Sequence, residues 1–349
     1  MHSAPLPAPF NRPEALRRDF VAGLERLLAA PDLGTFILVL ANASFDATIW
    51  DALGARLADR FAALAGVLRA DLRDGRSPAA PDDDLMVFLK LMAMGFDAVR
   101  TTESRAVGPW QAQFNPLRAL RPARASRLAV TDSRPPPFDA GGFHFNRPFL
   151  RPEILWEGVL LGHAVRILYN KFPFVPLHAL LVPEPERARP QWLDQETHLY
   201  AWHLARALER DLPGAVLAYN SYAAQASVNH LHLQIGWPAL PLPVTAPDWR
   251  HNGGSREYPL PCRAFFDPIE AWFEIERMQS AGQPFNLIHA GARLYAFARR
   301  AQGRMTPPAW MRGPAWYELA GGMTLFARAD FDGLDADAVG AALASARPN

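Results

Sequence analysis

The stretch SVNHLHLQIGW, residues 227–237, alternates polar and apolar side chains and constrains the fold more than any other feature. Side chains two apart share a face of a β-strand, whereas on a helix they point well away from each other. A period of two therefore predicts a strand over residues 229–235. Its apolar positions, expected to face a core, are Leu231, Leu233 and Ile235. Its polar positions, expected to face a cleft, are His230, His232 and Gln234.

Three interpretations of this polar face compete. Two imidazoles on one strand are a common metal-ligand arrangement, but Gln234 is a weak zinc ligand and no nearby Asp, Glu or Cys completes a set. As core residues, the three side chains would each need a buried hydrogen-bonding partner. In the third interpretation, which the surrounding residues favour, a neutral imidazole acts as a nucleophile toward phosphorus.

Short polar side chains surround the predicted strand, and such groups can hold phosphate oxygens without neutralising a nucleophile. Those just before the strand or at its start are Asn220, Ser221, Gln225, Ser227 and Asn229. Those expected on a neighbouring strand are Asn170, Lys171 and His178. Each one alone has a structural explanation, as a turn residue or an exposed charge. Together with the histidines they predict a nucleotide-binding cleft.

Composition excludes several classes of protein. The 36 Lys and Arg residues balance 35 Asp and Glu residues, which leaves no basic surface for nucleic acid. A single cysteine, Cys262, excludes an intramolecular disulfide and a multi-cysteine metal site. The N-terminus has no secretory apolar segment, and the longest apolar run, around residues 34–43, is too short to span a bilayer. We expect a cytoplasmic protein with no membrane or nucleic-acid partner.

The chain divides into three regions by texture. Residues 1–104 are predicted to be mostly helical, with helices over 15–30, 46–72 and 84–96. Residues 105–240 alternate strands with one amphipathic helix, and residues 241–349 repeat that texture without the histidines. In the last region we predict strands, a helix capped by Asp267 and a hairpin at Ala290-Gly291; these occupy the segments YPLPCRAFF, DPIEAWFEIERMQSAG, PFNLIHAGARLYAFARR and WYELAGGMTLFAR.

The segment LAYNSYAAQASVNHLHLQ, residues 217–234, resembles the active-site segment of the GDP-hexose phosphorylases, which act on GDP-L-galactose or GDP-D-glucose. This group belongs to the histidine triad-like (HIT-like) superfamily, with dinucleoside tetraphosphate phosphorylase and galactose-1-phosphate uridylyltransferase. The likeness extends over roughly residues 105–335 and includes AQFNPLRALRPAR, PFDAGGFHFNRP, HALLVPEPER, PFNLIHAGARLYAFAR and YELAGGMTLFARADFDG. The loop YNKFPFVPLH instead looks more like the dinucleoside tetraphosphate phosphorylases, and residues 40–104 match no part of the family.

The resemblance implies an α+β fold, in which a HIT-like antiparallel sheet with packed helices is duplicated as in galactose-1-phosphate uridylyltransferase. The expected parts are an N-terminal helical segment (1–104), a catalytic half (105–240) and a diverged second half (241–349). His232 matches the nucleophile, His230 the residue that supports its ring, and Gln234 replaces the third histidine of related hydrolases. Asn220 and Ser227 match contacts to the transferred phosphate, and Asn170 a contact on the ribose side. Further candidates for substrate or phosphate binding are Ser221, Gln225, Asn229, Lys171, His178, Gln113, Asn115 and Arg118.

The implied activity is nucleotidyl transfer. A nucleoside diphosphate hexose, preferably a GDP-sugar, would be cleaved by inorganic phosphate through a nucleotidyl-histidine, without a cofactor or a metal. One alternative is a dinucleoside tetraphosphate phosphorylase or ATP adenylyltransferase. Another is a non-catalytic protein that binds a nucleotide or a metal. The expected partner is the nucleotide-sugar or dinucleotide substrate, with a homodimer as a possible assembly.

Overall fold

The computed structural model describes residues 5–121 and 133–348. The N-terminal region folds into four helices: α1 (Pro13–Leu28), α2 (Leu33–Ser44), α3 (Ala47–Arg73) and α4 (Asp82–Met94). Side-chain caps begin two of them, since Asp32 accepts from the Thr35 N–H and Asp46 from the N–H groups of Thr48 and Ile49. The apolar run around residues 34–43 is α2, and its residues pack among the other three helices. The helical prediction for this region is confirmed.

Eleven strands form two sheets in the described part of the chain. The strands are β1 (Glu103–Val107), β2 (Trp110–Phe114), β3 (Ile154–Leu160), β4 (His163–Tyr169), β5 (Ala179–Pro183), β6 (Val216–Asn220), β7 (Leu233–Gly236), β8 (Cys262–Phe265), β9 (Phe285–Ala290), β10 (Arg293–Ala298) and β11 (Gly322–Leu325). Eight lie in one antiparallel sheet, in the order β3-β4-β5-β7-β6-β9-β10-β8. A small second sheet has the order β1-β2-β11.

The large sheet contains the same unit twice. The first unit is β5, helix α5 (Gln195–Asp211), β6 and β7, and the second is β8, helix α6 (Pro268–Ser280), β9 and β10. In each unit the last strand lies between the other two, and the units join where β6 pairs with β9, Asn220 opposite Asn286. The α+β class and the duplication expected from the sequence are confirmed. The two sheets cross the predicted domain boundaries, and the divisions at residues 104 and 240 remain predictions.

The two faces of the large sheet are covered differently. The face carrying Leu231, Leu233 and Ile235 packs in one apolar core with residues of α5 and α6, such as Leu204 and Ile275, as predicted. Part of the opposite face is covered by the small sheet and by helices α7 (Trp316–Leu319), α8 (Arg328–Gly333) and α9 (Ala336–Ser345). Among the described residues, no helix combines the length and apolar character needed to cross a membrane.

Two predicted strands are corrected. The strand predicted over 229–235 begins only at Leu233. On one side, the β5 residue that would face Leu231 is Pro183, which has no N–H to donate. On the other side, the Gln191 side chain bridges His232 and Asn220 of β6. The segment WYELAGGMTLFAR is also not one strand. It opens with the short helix α7, in which Glu318 accepts from the Ala315 N–H, and Gly321 at φ 95° ends the helix before β11.

Candidate active site

His232 is held as a neutral imidazole with a defined tautomer. Its Nδ1 lies 2.7 Å from the carbonyl oxygen of His230, which can only accept, so Nδ1 carries the proton. Burial lowers the pKa of His232 to about 4, an effect that this hydrogen bond opposes. The lone pair therefore lies on Nε2, for which the described residues offer no hydrogen-bonding partner. A neutral imidazole with an available Nε2 is the form that can attack phosphorus.

The Gln191 side chain positions the backbone of His232. Its Oε1 accepts from the His232 N–H at 2.9 Å, and its Nε2 donates to the carbonyl oxygens of His232 at 3.2 Å and Asn220 at 2.8 Å. The carboxamide thus lies between His232 and Asn220 of β6, in place of direct backbone pairing between β6 and β7 beyond Ala218 and Gln234. Sequence analysis missed Gln191, because a residue so far from the motif gives no spacing signal.

His230 supports His232 from the preceding turn. Its Nδ1 accepts from the Phe145 N–H at 3.1 Å, and its other ring nitrogen donates to the Pro185 carbonyl. Burial, followed by the neighbouring rings of His232 and His144, lowers the pKa of His230 to about 3. The Phe145 ring stacks on His230 at 5.6 Å between centroids and meets His232 edge-on at 5.1 Å. His230 is therefore neutral and fixed, with its carbonyl holding the His232 ring.

The Gln234 carboxamide also has a defined orientation. Its Oε1 accepts from His178 Nε2 at 3.0 Å and from the indole Nε1 of Trp316 at 2.8 Å. Burial lowers the pKa of His178 to about 3, and its Nδ1 accepts from the Phe174 N–H, so its single proton is on Nε2. The Gln234 amide nitrogen is left to donate into the site. Sequence analysis placed His178 and Gln234 here but missed Trp316.

Asn220, the last residue of β6, and the connection from β6 to β7 carry five of the predicted polar residues. Asn220 is buried, and its Oδ1 accepts from Asn286 Nδ2 at 2.6 Å. Ser221 accepts from the Phe285 N–H, and the Gln225 N–H donates to Gln302 in a left-handed turn at φ 73°. Ser227 is exposed, whereas Asn229 accepts from the Gln191 N–H and donates to the Pro136 carbonyl. Asn286 was not predicted, since it lies in the half without the motif.

The loop at residues 170–178 carries further predicted residues. The Asn170 amide nitrogen lies 3.4 Å from His178 Nδ1, and Asn170 Oδ1 accepts from the Phe172 N–H. Lys171 instead forms an ion pair with Asp84 of α4, at 2.6 Å between Nζ and Oδ1. Asn170 therefore contacts His178, which in turn binds Gln234. The ion pair of Lys171 holds the loop against the N-terminal helices. The phosphate-binding role of Lys171 remains a prediction.

Gln113, Asn115 and Arg118 form hydrogen bonds with protein groups other than His232. Gln113 donates to the Phe174 carbonyl at 2.6 Å, and Arg118 to the carbonyls of Phe172 and Pro173 at 2.9 and 3.0 Å. Asn115 is fully buried and donates to the side chains of Ser44 and Thr102. Burial, with the neighbouring charge of Arg121, lowers the pKa of Arg118 to about 9. The end of the segment AQFNPLRALRPAR, from residue 122, lies outside the described residues.

The metal interpretation receives no support from the side-chain arrangement. Within residues 5–121 and 133–348, no group of three or more His, Cys, Asp and Glu side chains is placed to hold a metal ion. The nearest neighbours of the two histidines are an aromatic ring, carboxamides and backbone carbonyls. These are groups suited to orienting an imidazole rather than to completing a zinc site.

Residues 110–236 match a family model described as the GDPGP1-like, N-terminal domain. Human GDP-D-glucose phosphorylase 1 is 37% identical over 120 residues, which cover 31% of this chain and 29% of that protein. GDP-L-galactose phosphorylase 1 of Arabidopsis thaliana is 27% identical over 196 residues, 49% of this chain and 44% of that protein. The chain thus spans less than half the length of these curated relatives.

A solved structure resembles the fold over a longer part of the chain. The yeast Ap4A phosphorylase Apa2 in complex with Ap4A superposes with a TM-score of 0.50 at 17% identity, covering 77% of this chain and 99% of that one. At this identity the likeness concerns the fold alone. The resemblance seen in the sequence is confirmed: residues 110–236 match the GDPGP1-like domain, the chain is similar to GDP-hexose phosphorylases over part of its length, and its fold resembles that of the yeast Ap4A phosphorylase.

Proposed function

We propose that this protein is a nucleotidyltransferase of the phosphorylase type, which cleaves a nucleoside diphosphate hexose with inorganic phosphate. The observation that carries the proposal is the state of His232. Its imidazole is neutral, its proton is held at Nδ1 by the His230 carbonyl, and its Nε2 is available. The similarity to GDP-D-glucose and GDP-L-galactose phosphorylases supports a GDP-sugar as the preferred substrate.

In the first displacement, His232 Nε2 forms a bond to the α-phosphorus, and the bond from that phosphorus to the bridging oxygen breaks. The sugar phosphate leaves with the electron pair. The nucleotidyl-imidazole carries a positive charge, which the Nδ1–H hydrogen bond to the His230 carbonyl stabilises. In the second displacement, an oxygen of inorganic phosphate attacks the α-phosphorus, the P–N bond breaks, and the nucleoside diphosphate and neutral His232 are formed.

Gln234 suits this leaving group. A carboxamide cannot supply a proton as a general acid, but its N–H can donate to a phosphate oxygen. A phosphate monoester has its second pKa at about 6, so a sugar phosphate departs at neutral pH without needing a proton. No step of this sequence uses a metal or an organic cofactor, and inorganic phosphate is the co-substrate.

Phosphorolysis of a dinucleoside tetraphosphate is the second candidate. It is favoured by the loop YNKFPFVPLH, which looks like that branch and which carries Asn170 and His178 beside Gln234. The same two displacements would apply, with a nucleotide as the leaving group. A protein that binds a nucleotide without turning it over is the third alternative. The hydrogen bond that fixes the tautomer of His232 argues against it.

The test is a phosphate-dependent screen with products identified by mass. GDP-, UDP- and ADP-hexoses and diadenosine tetraphosphate are each incubated with the protein, with and without phosphate. We expect GDP from GDP-hexose only with phosphate, an acid-labile guanylyl adduct on His232 without phosphate, and activity that survives dialysis against a chelator. Faster cleavage of diadenosine tetraphosphate would select the second candidate, and turnover without an adduct on His232 would refute the mechanism.

A further inference from the structure

Two carboxamides flank His232 on the same face of the large sheet. Gln234 lies two positions farther along the chain, in β7. The pairing of Ala218 with Gln234 continues toward Asn220 opposite His232, and one atom, Gln191 Nε2, donates to the carbonyl oxygens of both Asn220 and His232. Asn220 and Gln234 therefore adjoin the nucleophile on two sides.

The oxygen of each carboxamide accepts from a donor in the second half of the chain. Asn286 Nδ2 donates to Asn220 Oδ1 at 2.6 Å, and Trp316 Nε1 donates to Gln234 Oε1 at 2.8 Å. Both assignments are fixed by chemistry. An indole N–H can only donate, and Asn286 Nδ2 also donates to the Ala224 carbonyl at 2.9 Å, which can only accept.

The amide nitrogens of both carboxamides are consequently turned the other way. Asn220 and Gln234 are only 2% and 8% exposed, yet among the described residues neither Asn220 Nδ2 nor Gln234 Nε2 has a hydrogen-bonding partner. Phosphate oxygens only accept hydrogen bonds, so two N–H₂ groups beside His232 suit an oxyanion, whereas two amide oxygens would repel it.

We infer that Asn286 and Trp316 are positioning residues, which hold the Asn220 and Gln234 carboxamides with their N–H groups toward an oxyanion beside His232. Identifying that oxyanion as the transferred phosphate rests on the proposed function. The pair of donors is uncharged, so it stabilises the phosphate without drawing a proton onto the imidazole. The second half, which lacks the two histidines of the motif, thus fixes which way the two carboxamides of the site point.

The first experiment measures turnover of the full chain with GDP-hexose and phosphate. Trp316→Phe removes the indole donor, and Asn286→Ala removes the donor to Asn220. We expect each to lower kcat about 10-fold or more, with a smaller change in KM, since losing one oxyanion donor altogether costs about 10²- to 10³-fold. His178 also donates to Gln234, so Trp316→Phe should have the weaker effect.

Matched variants separate positioning from simple destabilisation. Trp249→Phe removes a buried indole hydrogen bond to the Pro243 carbonyl, and Asn252→Ala removes a carboxamide that donates to two carbonyls, both away from His232. These should change the melting temperature but not kcat. The decisive measurements repeat the two substitutions in variants that already lack the partner carboxamide. Trp316→Phe should have no further effect on kcat in Gln234→Ala, nor Asn286→Ala in Asn220→Ala. Effects that simply add would overturn the inference.

A titration with GDP keeps this test distinct from the test of the proposed function. Trp316→Phe and Asn286→Ala should each weaken GDP binding several-fold, again only when the partner carboxamide is present. If no nucleotide sugar is turned over but this pattern holds, the proposed function fails and the inference stands. If turnover occurs and both variants match the unaltered protein, the inference fails and the function stands. Absence of any GDP binding would overturn the inference as well.

Discussion

The two β-α-β-β units of the large sheet differ mainly in two connections. In the second unit, β9 and β10 are joined by Gly291 and Ala292 at φ 56° and 62°, a tight hairpin turn. In the first unit, residues 221–232 separate β6 from β7 and contain both histidines. The strand-to-helix connection is also short in the second unit, residues 266–267, but spans 184–194 in the first. The two histidines therefore lie where the first unit has longer connections than the second.

These two long connections hold each other in place. The Leu231 N–H donates to the Arg189 carbonyl, and Gln191 binds both Asn229 and the backbone of His232. The corresponding connections of the second unit are too short to form either contact. The comparison teaches that a nucleophile on a loop can be as well fixed as one on a strand, provided that a second loop supplies the missing ladder.

Buried histidines in the two units show what burial alone does not provide. Burial lowers the pKa of His289 in β9 to about 3, much as it lowers that of His232. His289, however, faces the helical side of the sheet, with its ring 5.8 Å from that of Trp202. Its ring has no carbonyl to fix its tautomer among the described residues. The orientation of His232, rather than its pKa, distinguishes it.

The largest expected effect is on turnover, and it tests the difference between His232 and His289. His232→Ala should lower turnover about 10⁴-fold or more, because the covalent intermediate cannot form. The melting temperature should change little compared with activity. The matched variant His289→Asn should keep turnover within a few-fold. Steady-state kinetics on both proteins checks this, and a comparable loss in the two variants would mean that the second unit takes part in the chemistry directly.

The next effect concerns Gln191, which lies in the long connection between β5 and α5. Gln191→Ala should lower kcat about 10- to 100-fold, because His232 loses the groups that place it. It should also lower the free energy of unfolding by about 1–3 kcal/mol, because a buried N–H of His232 is left without a partner. Kinetics and urea unfolding measure the two effects.

A carboxamide of the second unit provides the control for Gln191. Gln283 donates to the carbonyls of Pro284 and Arg299. Gln283→Ala should therefore cost stability while kcat stays unchanged. If Gln191→Ala behaved in the same way, its contacts would be purely structural and the contrast between the two units would disappear.

The last prediction, with the smallest expected effect on activity, concerns stability as a function of pH. Burial holds the pKa of four histidines at about 3 to 4 in the folded protein; they are His178, His230, His232 and His289. An unfolded histidine has a pKa of about 6.5, so the unfolded state takes up protons first as the pH falls. The stabilisation is present above pH 6.5 and is lost progressively toward the folded pKa. Each histidine should cost about 2 kcal/mol between pH 7 and pH 5.

His289→Asn isolates the share of the second unit. Its free energy of unfolding, from urea titrations at pH 7 and pH 5, should fall by about 2 kcal/mol less than that of the unaltered protein. Turnover should meanwhile be independent of His232 protonation over this range, because its pKa lies near 4. An unchanged pH slope in His289→Asn would show that this histidine has about the same pKa in the folded and unfolded protein.

The N-terminal helices, the α+β class and the repeated unit could be predicted because they depend on local patterns. Helical spacing over α1 and α3, the caps at Asp46 and Asp267 and the hairpin turn, predicted at Ala290-Gly291 and found at Gly291-Ala292, are each encoded within a few residues. Alternation also placed Leu231, Leu233 and Ile235 in the core correctly. The length of that strand was not predictable, because it depends on Gln191, a distant residue whose side chain lies between His232 and Asn220 of β6.

The sequence by itself determined which residue types meet at the site, since two histidines and a glutamine in alternation share a face wherever the backbone is extended. Only the tertiary structure decided their chemical state. Gln191, Asn286 and Trp316 come from three distant parts of the chain, and their donors and acceptors set the His232 backbone and the polarity of two carboxamides. A hydrogen bond depends on distances of about 3 Å between groups that chain spacing does not relate, so no local pattern could reveal it.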